Sequence, residues 1–260
     1  MKSSIQFFGL FKRETMRYFK VPLQTIGAPI VNSILYLLIF GVSLGGSIAL
    51  DEELPYLAFL IPGLIAMSFI KNAFDNATSA IMGQKYVNEL QDLRVTPLSP
   101  IQILLAKTTA SLMRGVIVGC ITLIVGEVFY YIVMGKLLLI AQPVVLLYFV
   151  VLGGMAFASL GVAIGMWSRS FEHVGAVSIV ILLPLIYLGG VFFSLDHVHS
   201  FWQFLSHANP LFYIINGVRH GILGSAHSYL SLSLIITMIF FLFCFFLSLQ
   251  SLKKGSRYMR

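Results

Sequence analysis

The sequence predicts an all-α membrane protein with six transmembrane helices, an amphipathic helix before them, a cytoplasmic coupling helix and outer re-entrant helices before the last span. Three observations carry that expectation. First, the 260 residues are 58% hydrophobic and only 10% charged, with a mean hydropathy of +0.92. Soluble domains average roughly 25% charged residues, and so few charges could not cover a soluble fold of this length. Second, six stretches are apolar over the ~20 residues that a helix needs to cross a bilayer. Third, the basic residues gather in one alternate set of the connections between those stretches.

The first element is Met1–Lys20. At 100° per residue, Gln6, Arg13, Arg17 and Lys20 share one face, and Phe7, Phe8, Phe11, Tyr18 and Phe19 gather opposite. That pattern predicts an interfacial amphipathic helix. Ile5–Phe11 is too short for a secretory signal core and is followed at once by Lys12 and Arg13, so the N-terminus is expected to be kept.

The expected spans are Pro22–Leu44, Tyr56–Met82, Ile101–Met134, Leu138–Met166, Val174–Phe193 and Leu230–Leu252. The third and fourth exceed the bilayer and should tilt or project beyond it. Pro22 suits a first helical turn, where its missing N–H costs nothing. Pro29, Pro62 and Pro184 lie inside spans and predict kinks. Cys120 and Cys244 both fall in apolar runs, which argues for unpaired core cysteines rather than a disulfide framework.

Six spans put both termini on one side. The connections on that side hold 13 of the 17 basic residues, among them Lys12, Arg13, Arg17, Lys20, Lys85, Arg94, Arg169, Lys253 and Lys254. The opposite side holds Asp51, Glu52, Glu53 and Asp196, with Lys136 and Arg219. The excess of Lys and Arg on the cytoplasmic side of membrane proteins places both termini in the cytoplasm. It also accounts for the net charge of +7 through anionic lipid rather than nucleic acid.

Gly83–Pro100, G-Q-K-Y-V-N-E-L-Q-D-L-R-V-T-P-L-S-P, is a polar island between two apolar runs on that same side. Tyr86, Leu90 and Leu93 or Arg94 recur at helical spacing. Thr96-Pro97 should end the helix, because the residue before proline disfavours α geometry. A plain solvated connector is the alternative. Val191–Tyr229 is aromatic and broken by Asn209-Pro210, Gly217, Gly221 and Gly224, with neither half long enough to span. Short helices dipping into the outer leaflet are expected there, covered by protein or a water cavity. Trp202 would anchor them at the interface.

No phosphate-binding G-x-x-x-x-G-K-[ST], no G-x-S-x-G and no H-E-x-x-H is present, so the chain has no recognisable ATP site and no catalytic residues are assigned. Asp196, His197, His199 and His207 match no stringent metal pattern, and no metal site is expected. Charges within spans are costly and face protein or water. Here they are Lys71, Asp75, Lys107, Arg114 and Glu127. Lys71 and Asp75, at i and i+4, can pair on one face. These residues either line a polar path or pair internally, with Lys71, Asp75 and Lys107 close enough in depth to satisfy one another.

Across essentially its whole length the chain resembles the membrane subunits of type 2 ATP-binding cassette (ABC-2) exporters. The sharpest local match is Pro210-Leu211-Phe212-Tyr213 followed after five residues by Arg219, downstream of L-G-G-V-F at Leu188–Phe192. I-P-G-L-I at Ile61–Ile65 and E-L-Q-D-L-R-V-T-P-L at Glu89–Leu98 also look like this family. The resemblance implies Pro210, Tyr213 and Arg219 as family signature residues. It implies a homodimer in the bacterial cytoplasmic membrane, bound to two copies of a separate ABC ATPase that carries the ATP and Mg. The chain would then be no enzyme by itself. The island would act as a coupling helix, with Tyr86, Glu89, Leu90, Asp92 and Arg94 meeting the ATPase. The implied activity is export of an amphipathic, lipid-linked or drug-like substrate. The alternatives are polysaccharide export, or an ATPase-independent secondary transporter or channel.

Overall fold

The computed structural model describes residues 2–43, 55–90, 96–194, 199–224 and 229–255, and every regular element among them is a helix. In chain order these are α1 (Lys2–Phe19), α2 (Leu23–Val42), α3 (Tyr56–Tyr86), α4 (Pro100–Met134), α5 (Pro143–Trp167), α6 (Phe171–Leu188), α7 (Ser200–His207), α8 (Pro210–Leu223) and α9 (Leu230–Lys254). Six of them, α2 to α6 and α9, are long and apolar enough to cross a membrane.

Local chemistry sets the ends. Ser99 caps α4 reciprocally with Gln102, and Pro100 occupies the first turn, where no N–H is needed. Gly135, at φ 67°, closes the same helix in the left-handed conformation that suits glycine. At 35 residues α4 is about 52 Å long, well beyond the ~30 Å hydrocarbon core. Helix α5 begins at Pro143 rather than at Leu138. The residues before it form a non-helical connection instead: Leu138 N–H donates to Glu127 Oε2 (3.0 Å), and Ala141 and Gln142 donate to the carbonyls of Ile222 and Gly221.

The prolines act differently from one another. In α2 and α6 a stretch of π-helix lies just upstream of Pro29 and Pro184, at Leu23–Gly27 and Ser178–Leu182. Widening the turn accommodates the ring and the lost donor. Helix α3 runs through Pro62 as continuous α-helix.

Helix α3 is the axis of the molecule. It is buried on nearly all sides, with α4 on one flank and α5 on the other. Glycines allow that approach. A Cβ on Gly115 of α4 would lie 2.6 Å from the Phe69 carbonyl oxygen, and one on Gly161 of α5 would lie 2.6 Å from that of Phe74. Small residues of this kind let membrane helices pack backbone to backbone. Helix α9 covers α5, where Tyr148 Oη donates to the Leu234 carbonyl (2.9 Å) and Ser248 Oγ to the Ser159 carbonyl. Helices α2 and α6 flank the remaining side of α3, and most of their surface is exposed.

The two ends of α3 carry different attachments. At its start, α8 is packed almost wholly inside the bundle against α3, α5 and α9. Helix α7 beside it leaves Phe201, Trp202 and Phe204 exposed. At its other end lies α1, packed along α4. The aromatic face expected for α1 is divided. Phe7, Phe11 and Tyr18 turn inward with Leu10, while Phe8 and Phe19 stay outside with Ile5, Met16 and the basic side chains of Lys12 and Lys20. What turns the helix this way is Glu14, whose carboxylate has a buried partner.

Candidate functional site

Glu14 is the only acid in the first 20 residues, and its side chain is 3% exposed. Lys107 Nζ, fully buried on α4, donates to Glu14 Oε1 (2.9 Å) and to Gln84 Oε1 (2.7 Å). Gln84 Nε2 in turn donates to Glu14 Oε1 (2.8 Å), which closes a three-way cluster between α1, α3 and α4. Arg13 and Arg17 each approach the same carboxylate at 3.6 Å. Lys107 therefore does not pair with Lys71 and Asp75, as depth alone suggested. Its partner comes from outside the spans, on a helix that folds back along α4.

Burial alone would raise the Glu14 carboxyl, but the charge and hydrogen bond of Lys107, then Arg17 and Arg13, outweigh it and hold the group below its ordinary 4.5. A depressed carboxyl contributes stability that is full above the ordinary value and lost as the pH falls through the folded one. Glu14→Gln should therefore unfold earlier than the wild type at neutral pH. The gap should close as the pH drops below 4.5, with both followed by tryptophan fluorescence in detergent. An unchanged gap in acid would show that the carboxylate charge is not what the cluster uses.

Further into the membrane, α2, α3, α4 and α6, with the end of α1, line a cavity of about 880 Å³. Its polar side is α3. Lys71 Nζ and Asp75 Oδ2 pair at 2.5 Å, and Ser178 Oγ from α6 donates to Asp75 Oδ1 (3.3 Å). Arg114 of α4 and Arg17 from the end of α1 both enter it, meeting at Asn76. Leu64, Met67, Val118 and Leu183 supply apolar wall. The five in-span charges thus divide three ways. Lys71, Asp75 and Arg114 line the cavity, Lys107 lies in the buried cluster, and Glu127 ties down the turn before α5.

The polar island also departs from one continuous helix. Helix α3 stops at Tyr86, and Asn88 takes a left-handed conformation (φ 59°) before helical geometry resumes at 89–90. Asparagine tolerates that conformation better than most residues, so the break is local. Asp92 and Arg94 lie outside the described residues. Tyr86 and Val87 are 81% and 57% exposed, whereas Leu90 is 5% exposed in an apolar cluster with Leu10, Ile81, Leu104 and Met166. Glu89 pairs with Arg13 of α1 at 3.5 Å. Leu90 is accordingly an anchor, and the exposed stretch that begins with Tyr86 and Val87 can meet another surface.

At the opposite end, Pro210 starts α8, where Asn209 Oδ1 caps by accepting from Leu211 N–H (3.0 Å). Tyr213 Oη donates to the His207 carbonyl (2.9 Å), which joins α8 to α7. Arg219 is buried, donates to the Gly190 carbonyl (2.9 Å) and lies 3.7 Å over the Phe59 ring. These three residues fasten α8 to α7, to the end of α6 and to α3. His199 caps α7 and His207 packs edge-on to Phe212, while Asp196 and His197 lie outside the described residues. Glu14 and Gln84 in the cluster, and Arg17 and Asn76 in the cavity, are the site residues that sequence reasoning missed. A solitary acid in a basic arm was the available signal for Glu14.

A family model described as "ABC-2 type transporter" matches residues 5–223. The chain is 32% identical over 216 residues to the "Inner membrane transport permease YadH" of Escherichia coli (strain K12), covering 83% of this chain and 82% of that one. It is 23% identical over 247 residues to "Nodulation protein J" of Sinorhizobium fredii (strain NBRC 101917 / NGR234), covering 95% and 92%. To the protein of the same name from Rhizobium meliloti (strain 1021) it is 24% identical over 252 residues, covering 95% and 92%.

Proposed function

The chain belongs to the ABC-2 type transporter family of membrane permeases, and from that premise we propose that it is the membrane half of an ATP-driven exporter. It would work as a homodimer in the bacterial cytoplasmic membrane with both termini inside. Two copies of a separate ABC ATPase would bind and hydrolyse MgATP. The substrate is an amphipathic, lipid-linked or drug-like molecule that enters the cavity beside α3.

One observation carries the reading. The segment after α3 is fixed on one side and free on the other. Leu90 is sunk among residues of α1, α3, α4 and α5, and Glu89 is paired with Arg13, while Tyr86 and Val87 face outward. Force applied to the free side is delivered to four helices at once. Packed interiors transmit such displacements because they deform little. The polar wall of the cavity starts about two and a half turns up α3, from Ser79 and Asn76.

The test is to replace two exposed residues, Tyr86→Ser with Val87→Asp, in the chain purified with its cognate ATPase. Exposed substitutions leave folding nearly unchanged, so unfolding should match the wild type. Co-purification of the ATPase and transport into inside-out vesicles should fall by at least about tenfold, as for central residues of an interface. Full coupling in this variant, or transport that persists without any ATPase, would refute the reading.

A further inference from the structure

Asn76 holds two guanidinium groups on one neutral oxygen. Arg17 Nη2 donates to Asn76 Oδ1 at 2.9 Å, and Arg114 Nη1 donates to the same atom at 3.3 Å. The amide is fixed in that sense because guanidiniums can only donate, which leaves its Nδ2 to donate to Ser111 Oγ (2.9 Å). An amide oxygen can orient two cations but carries too little charge to neutralise them. The carboxylates nearby are already engaged. Asp75 is paired with Lys71 at 2.5 Å. Glu14 is held by Lys107 at 2.9 Å and reaches Arg17 only at 3.6 Å. Among the described residues no carboxylate lies within 4.0 Å of Arg114, although only 9% of the residue is exposed. The Nε atoms of Arg17 and Arg114 are both buried and without a hydrogen-bond partner in the protein.

A buried guanidinium that lacks a counter-ion is costly, and at membrane depth such groups mark substrate pathways. Arg17 also donates to the Asn76 carbonyl (2.8 Å) and Ser79 Oγ (3.1 Å), so Arg114, bonded through Nη1, is the guanidinium with donors to spare, and such a fork suits a phosphate or carboxylate. Beside them the cavity wall is apolar, through Leu64, Met67 and Val118. Its 880 Å³ falls in the range that encloses most of a drug-sized molecule.

We infer that this cavity binds an amphiphile with an anionic head, phosphate or carboxylate, its head on Arg17 and Arg114 and its chain along the α3–α4 wall. The inference names the charge of the substrate, and it rests on the exporter reading only for what becomes of the bound molecule. Asn76 is the positioning residue, and the Lys71–Asp75 pair sets how positive the site is.

The experiment is titration of dodecyl phosphate into the full chain in phosphatidylcholine nanodiscs, with dodecyl maltoside as neutral control and inorganic phosphate as the head alone. Asn76→Asp places a carboxylate between the two guanidiniums without removing either. It should weaken dodecyl phosphate binding by about tenfold to a hundredfold while the unfolding midpoint holds or rises. Asp75→Asn removes the only carboxylate among the described residues that line the cavity and should tighten binding by about threefold or more. Opposite signs from two near-isosteric changes would not come from a general loss of structure. Added phosphatidylglycerol that displaces the probe would identify the site's occupant as a bilayer lipid. Failure to displace it would identify another anionic amphiphile, and either result supports the site. Equal binding by wild type and Asn76→Asp would overturn the inference. So would dodecyl maltoside or inorganic phosphate binding as tightly as dodecyl phosphate. The assay contains neither ATPase nor ATP, so its failure is separable from a failure of the coupling test.

Discussion

Glu14→Ala is expected to destabilise the chain by about 3–5 kcal/mol, because it strands a fully buried ammonium. Lys107 would keep one neutral partner, Gln84, and no counter-charge within reach among the described residues. The reverse change, Lys107→Met, should cost less. Glu14 would still have Gln84 Nε2 at 2.8 Å, with Arg13 and Arg17 at 3.6 Å. The double variant Glu14→Gln with Lys107→Met removes both charges and should recover much of the loss, since a charge pair costs most when halved. The cycle of four proteins then isolates the pair as a non-additive term. Unfolding by sodium dodecyl sulfate in mixed micelles measures it. A cost under about 1 kcal/mol for Glu14→Ala would mean that the cluster is open to water and that α1 is only loosely attached. The result bears on function because α1 also supplies Arg17 to the cavity and Arg13 to Glu89.

Gly161→Leu should be as damaging, by a steric route. The added Cβ alone would meet the Phe74 carbonyl at 2.6 Å, the Thr78 hydroxyl at 2.9 Å and the Ala77 methyl at 3.0 Å. The first of these is backbone of the central helix, so no side-chain rotation relieves it. Overpacking a core costs about 1–3 kcal/mol, and more where backbone must move. Here α5 would have to separate from α3 along their whole contact. Gly9→Ala in the same assay is the control. Nothing lies within 4 Å of its Cβ position on α1, and alanine should help the helix by about 0.5–1 kcal/mol. A Gly161→Leu protein as stable as wild type would mean that α3 and α5 are not packed backbone to backbone.

Much of the fold was legible because its causes are local. Six apolar stretches bounded by prolines, glycines and charges correspond to six helices whose ends differ mostly by a few residues. The miss at Leu138 arose because the segment before Pro143 is apolar enough to be helix, but its N–H groups at Ala141 and Gln142 are taken by carbonyls of α8. The break at Asn88 was missed for a different reason. Helical spacing of Tyr86 and Leu90 carries no signal from a single left-handed residue between them.

The candidate site was legible only in part. Lys71 and Asp75 pair from spacing alone, being one turn apart. Lys107 finds its partner 93 residues away, and Arg17 meets Asn76 across 59. Nothing local distinguishes Asn76 from its neighbour Asn72, which donates only to the Ser68 carbonyl of its own helix.

The sequence by itself determined that this chain belongs in lipid, with six stretches long and apolar enough to cross it, because the backbone of each span must satisfy its own hydrogen bonds over a fixed thickness. Which span lies at the centre was decided only by the tertiary structure. The central helix, α3, is the least apolar of the six, and the most apolar, α9, is largely exposed. In lipid an apolar surface gains little by being buried, so hydropathy does not rank helices from outside to inside. Glycines that admit a neighbouring backbone and polar groups that find partners do so instead, and both depend on what stands opposite them.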